Sequence, residues 1–207
     1  MGGCCLTLAA LARPDLMAEV VLFEPSNYPQ PYWLNMNKDS PHTLLAMGAA
    51  RRKNSWESRE EASSFFRAKP FYQSMPSESV QSFLDYALYE TTCNGKTETK
   101  LKCHPEWEAA LWLGIGPLDA FDRAGELRCR VRLVSGKDSN TANMIFELYD
   151  GSKGKKDDLW SSRLRFFEGI TWLNGTGHMV PQCKPKESAQ IVDAAILNSI
   201  KHFNARI

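Results

Sequence analysis

The sequence predicts an α/β fold, a parallel sheet interrupted by a large helical insertion, and three observations lead there. An apolar run of strand length, Glu19-Val20-Val21-Leu22-Phe23-Glu24-Pro25, follows a small-residue helical stretch through a short link, and helix then strand is half of a βαβ unit. The next strand of the same kind, around Val131 and Leu133, comes only after a long stretch of helical spacing. A strand-like run, 163–170, then turns into Thr176-Gly177-His178-Met179-Val180-Pro181 and leaves as a helix-like run, 185–203.

Composition narrows the function classes. The chain has 207 residues, enough for one domain with a real core, and 43% hydrophobic residues, ordinary for a globular protein. A net charge of +1 argues against a nucleic-acid or anionic-membrane partner, and no apolar run approaches a membrane span. No charged segment followed by an apolar one marks a secretory leader. The six cysteines form no C-x-x-C pair and no regular framework, so reduced thiols in an intracellular protein are expected. Asn174-Gly175-Thr176 is a formal sequon, silent without secretion.

In chain order, small and apolar residues up to Ala12 read as a helix that Arg13-Pro14 stops. The apolar run 19–25 suits a strand buried on both faces. Tyr28, Pro29, Pro31, Tyr32 and Trp33 make an aromatic, proline-rich exit. Helices are expected over 41–50, from Ser55 onward with acids in the first turn, over 76–88 with proline in the first turn, and over 104–112. Asn94-Gly95 marks a turn. The alternation of Val131 and Leu133 suits a half-exposed strand ended by Gly136. A helix over 140–149 and a solvated loop over 150–158 precede the strand into the His178 loop. The division is core over 1–25, helical insertion over 26–127 and core over 128–207.

Chemistry-bearing residues are few. Gly177 lets the backbone turn before His178 with no Cβ in the way, and Pro181 stiffens the exit. A histidine held this way suits a general base, since imidazole titrates near neutrality; on spacing alone a surface-loop histidine without a role is the favoured reading. His104 beside Cys103 offers two ligand types with no further cluster, too few for a metal. The aromatics Trp56, Phe65, Phe66, Phe71, Tyr72, Phe83, Tyr86, Trp107 and Trp112 are either the insertion's own core or the wall of an apolar pocket.

Gly177-His178-Met179-Val180-Pro181, with Lys184-Pro185-Lys186-Glu187 and the apolar helix 189–197, resembles the histidine loop and closing helix of α/β-hydrolases. The resemblance extends over nearly the whole chain and is weakest around 26–55. It implies a partial α/β-hydrolase parallel sheet with a helical cap, no cofactor and no metal, and a small apolar acyl or epoxide substrate. Such enzymes carry the nucleophile on a G-x-S-x-G elbow, often continued by Met-Gly-Gly. Met1-Gly2-Gly3 matches that continuation, and no G-x-S-x-G occurs in the chain. The resemblance therefore places the nucleophile just before residue 1 and makes the N–H of Met1 an oxyanion donor. It describes an N-terminally truncated hydrolase: a serine there implies esterase, lipase or thioesterase chemistry, an aspartate epoxide hydrolase or dehalogenase chemistry. Cys4 and Cys5 lie past the elbow on a helix that should pack on the sheet, which disfavours them as substitutes.

The same resemblance gives His178 the role of base and Asp138, in the turn Gly136-Lys137-Asp138, the role of the acid that holds its tautomer. Capping of a helix near Thr141 is the other reading of Asp138. Glu24, ending the preceding core strand, is the runner-up acid. The segment Ser58-Arg59-Glu60-Glu61-Ala62 with Phe66 to Tyr72 resembles caps of fungal toxin-cluster hydrolases, which implies secondary metabolism and virulence. The ending Ala205-Arg206-Ile207 is a variant of the peroxisomal address, so an import receptor is an expected partner and the peroxisome the expected compartment, with the cytoplasm as alternative. The competing expectation is a catalytically inactive pseudo-hydrolase that binds a ligand or partner, or a remnant without function.

Overall fold

The computed structural model describes residues 2–25, 41–114, 116–140 and 160–204. In chain order its elements are α1 (Gly2–Ala12), β1 (Glu19–Phe23), α2 (Pro41–Ala50), β2 (Ser55–Trp56), α3 (Arg59–Arg67), α4 (Pro70–Gln73), α5 (Ser77–Ala87), β3 (Leu88–Cys93), β4 (Lys96–Leu101), α6 (Pro105–Trp112), α7 (Gly116–Asp122), β5 (Arg130–Gly136), β6 (Phe167–Leu173), α8 (Val180–Cys183) and α9 (Pro185–Asn204). They form two compact units, one of residues 1–35 and 115–207, the other of residues 36–114.

The first unit is an α/β layer structure. Its described strands run β1-β5-β6, all parallel, with Glu19 opposite Arg130 and Val131 opposite Phe167. Parallel strands need crossover connections, and their faces are covered by helices. Val20, Leu22, Val131 and Leu133 bury their side chains with Ala10 of α1, Phe121 of α7, Trp160 and Leu164. At the other end of the strands from His178, the buried Glu19 carboxylate takes Arg130 at 3.1 Å and Arg132 at 3.2 Å, and Ser199 of α9 donates to it at 3.4 Å. A buried carboxylate needs such partners, because the charged form is poorly solvated inside.

Two expectations about the strands exchange places. β1 was expected to be buried on both faces, yet only Val20 and Leu22 are buried and the alternate residues are half-exposed. β5 was expected to be half-exposed, yet Val131, Leu133, Val134, Ser135 and Gly136 are all buried. The cause is position: β5 is the middle strand of the described order and β1 its end. The strand expected over 163–170 starts later, at Phe167, because the N–H groups of Arg163 and Leu164 both turn back to the carbonyl of Trp160. The helix expected over 140–149 and the loop over 150–158 lie almost wholly outside the described residues, as does the aromatic exit 28–33.

The second unit corrects the all-helical insertion. It holds an antiparallel sheet, β2-β4-β3, beside its helices. Asn94 and Gly95 both adopt positive φ, 52° and 75°, the backbone of the two-residue hairpin that matches strand twist. The turn was legible and the strands were not, because Leu88 to Cys93 continues α5 without a break and Lys96 to Leu101 is polar. Helix α3 starts where Ser58 accepts from the Glu61 N–H at 3.2 Å, an N-cap. The unit is also narrower than 26–127: α7 and the turn at Ala124 belong to the first unit, whose core buries Phe121 and Ala124. Trp56, Phe66 and Phe83 pack with Ala62, Val80, Leu84 and Leu101 as this unit's own core, so for these aromatics the core reading is the one observed. Tyr86 and Trp107 are exposed.

Candidate functional site

The carboxyl ends of β1, β5 and β6 lie together, where open α/β sheets bind their ligands. Each strand ends in a different way there. β1 ends when its ladder closes with the Glu24 N–H on the Val134 carbonyl at 2.9 Å. Glu24 then takes φ of 43°, a left-handed conformation that a non-glycine residue adopts only where its surroundings hold it.

The surroundings are donors. The Glu24 side chain is 1% exposed. Its Oε1 accepts the Gly136 N–H at 2.9 Å, and its Oε2 accepts the Ser139 hydroxyl at 2.9 Å. His178 Nδ1 lies 3.3 Å from the same Oε2, the long end of the hydrogen-bond range. An ionised carboxylate only accepts, so against an ionised Glu24 this contact favours the Nδ1–H tautomer of neutral His178, with Nε2 left as the basic nitrogen. The His178 side chain is 42% exposed, so a buried acid orients a histidine that faces outward.

The loop that brings His178 there is set by its neighbours. β6 ends at Leu173, whose carbonyl accepts the Lys137 N–H at 2.8 Å. Gly175 takes φ of 63°, and the buried Thr176 accepts the Asp138 N–H at 3.1 Å. The close approach of this loop to β5 requires Gly136: a Cβ there would run into the carbonyl oxygens of Thr176 and Gly177. Gly177 was expected to need its missing Cβ, yet a Cβ there would make only an ordinary contact with Asp138 at 3.6 Å. After Met179, Pro181 lies in the first turn of α8, and Val180 is fully buried.

Asp138, the acid expected to hold His178, does not reach it. It lies exposed on the turn after β5 and engages the His178 loop through its backbone N–H. The runner-up, Glu24, makes the contact. The glycine of Gly136-Lys137-Asp138 thus admits the loop and donates to Glu24, and the turn's next residue, Ser139, supplies a hydroxyl that the sequence did not single out. Its signal was only its place, three residues past Gly136.

The remaining candidates fall elsewhere. Met1 lies outside the described residues, as do Ala205, Arg206 and Ile207. Cys4 is 2% exposed in α1, and burial raises its thiol above the usual range, which disfavours the nucleophilic thiolate. Gly3 brings the start of α1 against Pro25: a Cβ on Gly3 would lie 3.0 Å from the proline Cβ. His104 caps α6, its Nδ1 accepting the Glu106 N–H at 3.4 Å. Among the described residues no three His, Cys, Asp or Glu side chains gather as metal ligands, and no helix is long and apolar enough to cross a membrane.

No protein-family model matches the chain and no curated protein matches it in sequence. Solved structures do match in fold. The peroxisomal alpha-beta-hydrolase Lpx1 of Saccharomyces cerevisiae superposes with a TM-score of 0.71 at 12% identity, over 97% of this chain and 52% of that one. An M. tuberculosis esterase gives a TM-score of 0.61 at 16% identity, over 94% and 59%. The thioesterase domain from the curacin biosynthetic pathway gives 0.59 at 14% identity, over 96% and 63%. The fold is that of the α/β-hydrolases, and the chain spans between half and two thirds of the length of these structures.

Proposed function

We propose that Glu24 and His178 are the acid–base arm of a hydrolytic site acting on a small apolar ester or thioester. The single observation behind this reading is the buried, donor-held Glu24 carboxylate directed at Nδ1 of an outward-facing histidine. In the proposed reaction a hydroxyl nucleophile attacks the acyl carbonyl as its proton passes to Nε2 of His178, and Glu24 stabilises the imidazolium. His178 returns the proton to the leaving group, and water then releases the acyl group by the same route. The proposed nucleophile lies just ahead of α1, whose start Gly3 sets against Pro25, the residue after Glu24. The acid role thus passes from Asp138 to Glu24, and the Met1 N–H keeps its proposed place as oxyanion donor.

The experiment is hydrolysis of p-nitrophenyl acyl esters and acyl thioesters by the natural gene product, with labelling by a fluorophosphonate and mass spectrometry of the labelled peptide. Turnover abolished in His178→Ala, with a labelled serine, supports the reading. Turnover that survives His178→Ala removes it, and no turnover on esters, thioesters or epoxides leaves the binding protein in its place. Turnover of epoxides alone moves the nucleophile to a carboxylate.

Two finer proposals travel with this one. Peroxisomal residence is supported by the Ala205-Arg206-Ile207 ending and by the compartment of the yeast structure. A fluorescent protein fused ahead of the chain should turn from punctate to diffuse when those three residues are removed. A place in fungal toxin biosynthesis is supported by the cap resemblance around 58–72, and co-expression with a biosynthetic cluster tests it.

A further inference from the structure

We infer that Ser139 is a positioning residue for this site: its hydroxyl, together with the Gly136 N–H, holds the Glu24 carboxylate in the orientation that fixes the His178 tautomer. The inference rests on the proposed acid–base role of Glu24 and His178. Its ground is geometric. Glu24 Oε2 is shared by two donors, Ser139 Oγ at 2.9 Å and His178 Nδ1 at 3.3 Å, while Gly136 N–H takes Oε1 at 2.9 Å. Three donors on two oxygens leave a carboxylate little freedom to rotate about its last torsion, which is otherwise broad. Two of the three come from one tight turn, closed by the Ser139 N–H on the Gly136 carbonyl at 3.1 Å. That turn also anchors the histidine loop, through Lys137 N–H to Leu173 and Asp138 N–H to Thr176. Residues 136–139 therefore set both partners of the Glu24–His178 contact.

Removing the Ser139 hydroxyl deletes the 2.9 Å side-chain bond of that turn to Glu24 and leaves the turn's backbone bonds in place. The carboxylate can then swing from Nδ1, and His178 loses its preference for the Nδ1–H tautomer. Among the described residues, the charged groups near this turn and loop include Glu24 after β1, Lys137 and Asp138 on the turn, and Lys184, which lies 3.9 Å from Glu187 of α9. Both Lys137 and Asp138 are exposed and screened by solvent, whereas the Glu24 carboxylate is buried and lies 3.3 Å from Nδ1.

The test has two readouts on the natural gene product. Nitrogen-15 spectra of histidine-labelled protein report the His178 tautomer whether or not a substrate is known. Ser139→Ala should shift His178 toward the Nε2–H form, Ser139→Thr should restore Nδ1–H, and Asp138→Asn should leave it unchanged. In turnover, Ser139→Ala should lower kcat about 10-fold with KM unchanged, as for a group acting on the transition state through another residue, and Ser139→Thr should recover it. An unchanged tautomer in Ser139→Ala, while Glu24→Gln shifts it, overturns the role of Ser139 and leaves the Glu24–His178 reading standing. A His178 tautomer indifferent to Glu24→Gln as well removes both. Unaltered turnover in His178→Ala removes the functional reading alone, because the tautomer shift still tests the positioning. A far-UV spectrum and melting curve for each variant separate misfolding from either outcome.

Discussion

Two neighbouring strands, β1 and β5, run parallel and each leads into a turn that carries a carboxylate, and the two carboxylates have opposite fates. Glu24 is buried, held at positive φ, and met by three donors. Asp138 is exposed and engages the histidine loop only by its backbone. The difference teaches that the acid of such a site is selected by where donors converge. A buried carboxylate stays ionised only if hydrogen bonds replace its water, and the β5 turn directs its own N–H and hydroxyl at the end of β1 rather than at its own acid.

The most disruptive way to test that division of labour is at Gly136. Because Gly136→Ala drives a Cβ into two carbonyl oxygens, it should cost at least about 2 kcal/mol of stability, read from denaturant melts; a wild-type midpoint would mean that the close packing of turn and loop is absent. Next come the acids themselves. Glu24→Ala strands the Gly136 N–H, now buried without an acceptor, and should cost about 1–3 kcal/mol. Asp138→Ala should stay within about 0.5 kcal/mol, as for a surface change. Equal effects would erase the contrast between the two turns. The smallest effect concerns burial without donors. Burial raises the thiols of Cys4 and Cys129, so below those raised values both are neutral, and iodoacetamide near pH 8 should modify the exposed Cys5 and Cys103 well before them. Early labelling of Cys4 would show it to be an accessible thiolate.

Much of the sheet could be read from the chain, because apolar runs such as Val20 to Phe23 and small-residue helices such as α1 carry their own periodicity. The His178 loop could be read through glycine and proline punctuation and through its resemblance to a hydrolase loop. The acid could not, since Gly136-Lys137-Asp138 and Glu24-Pro25 both place a carboxylate after a strand, and only the pairing of β1 with β5 decides which one meets the histidine. Ser139 was hidden for the same reason: its partner lies 115 residues away in sequence. The hairpin Leu88 to Leu101 was missed because β3 follows α5 without a breaker and its strands are largely polar, so neither the helical nor the alternating pattern stands out.

The central claim is the proposal that Glu24, and not Asp138, orients His178. The direct measurement is kcat/KM on one acyl ester or thioester for Glu24→Gln beside Asp138→Asn. The account predicts a loss of about 10³-fold or more for Glu24→Gln, because an amide in the acid's place favours the wrong tautomer, and a change within about 2-fold for Asp138→Asn. The reverse pattern, with Asp138→Asn inactive and Glu24→Gln near wild type, would contradict it.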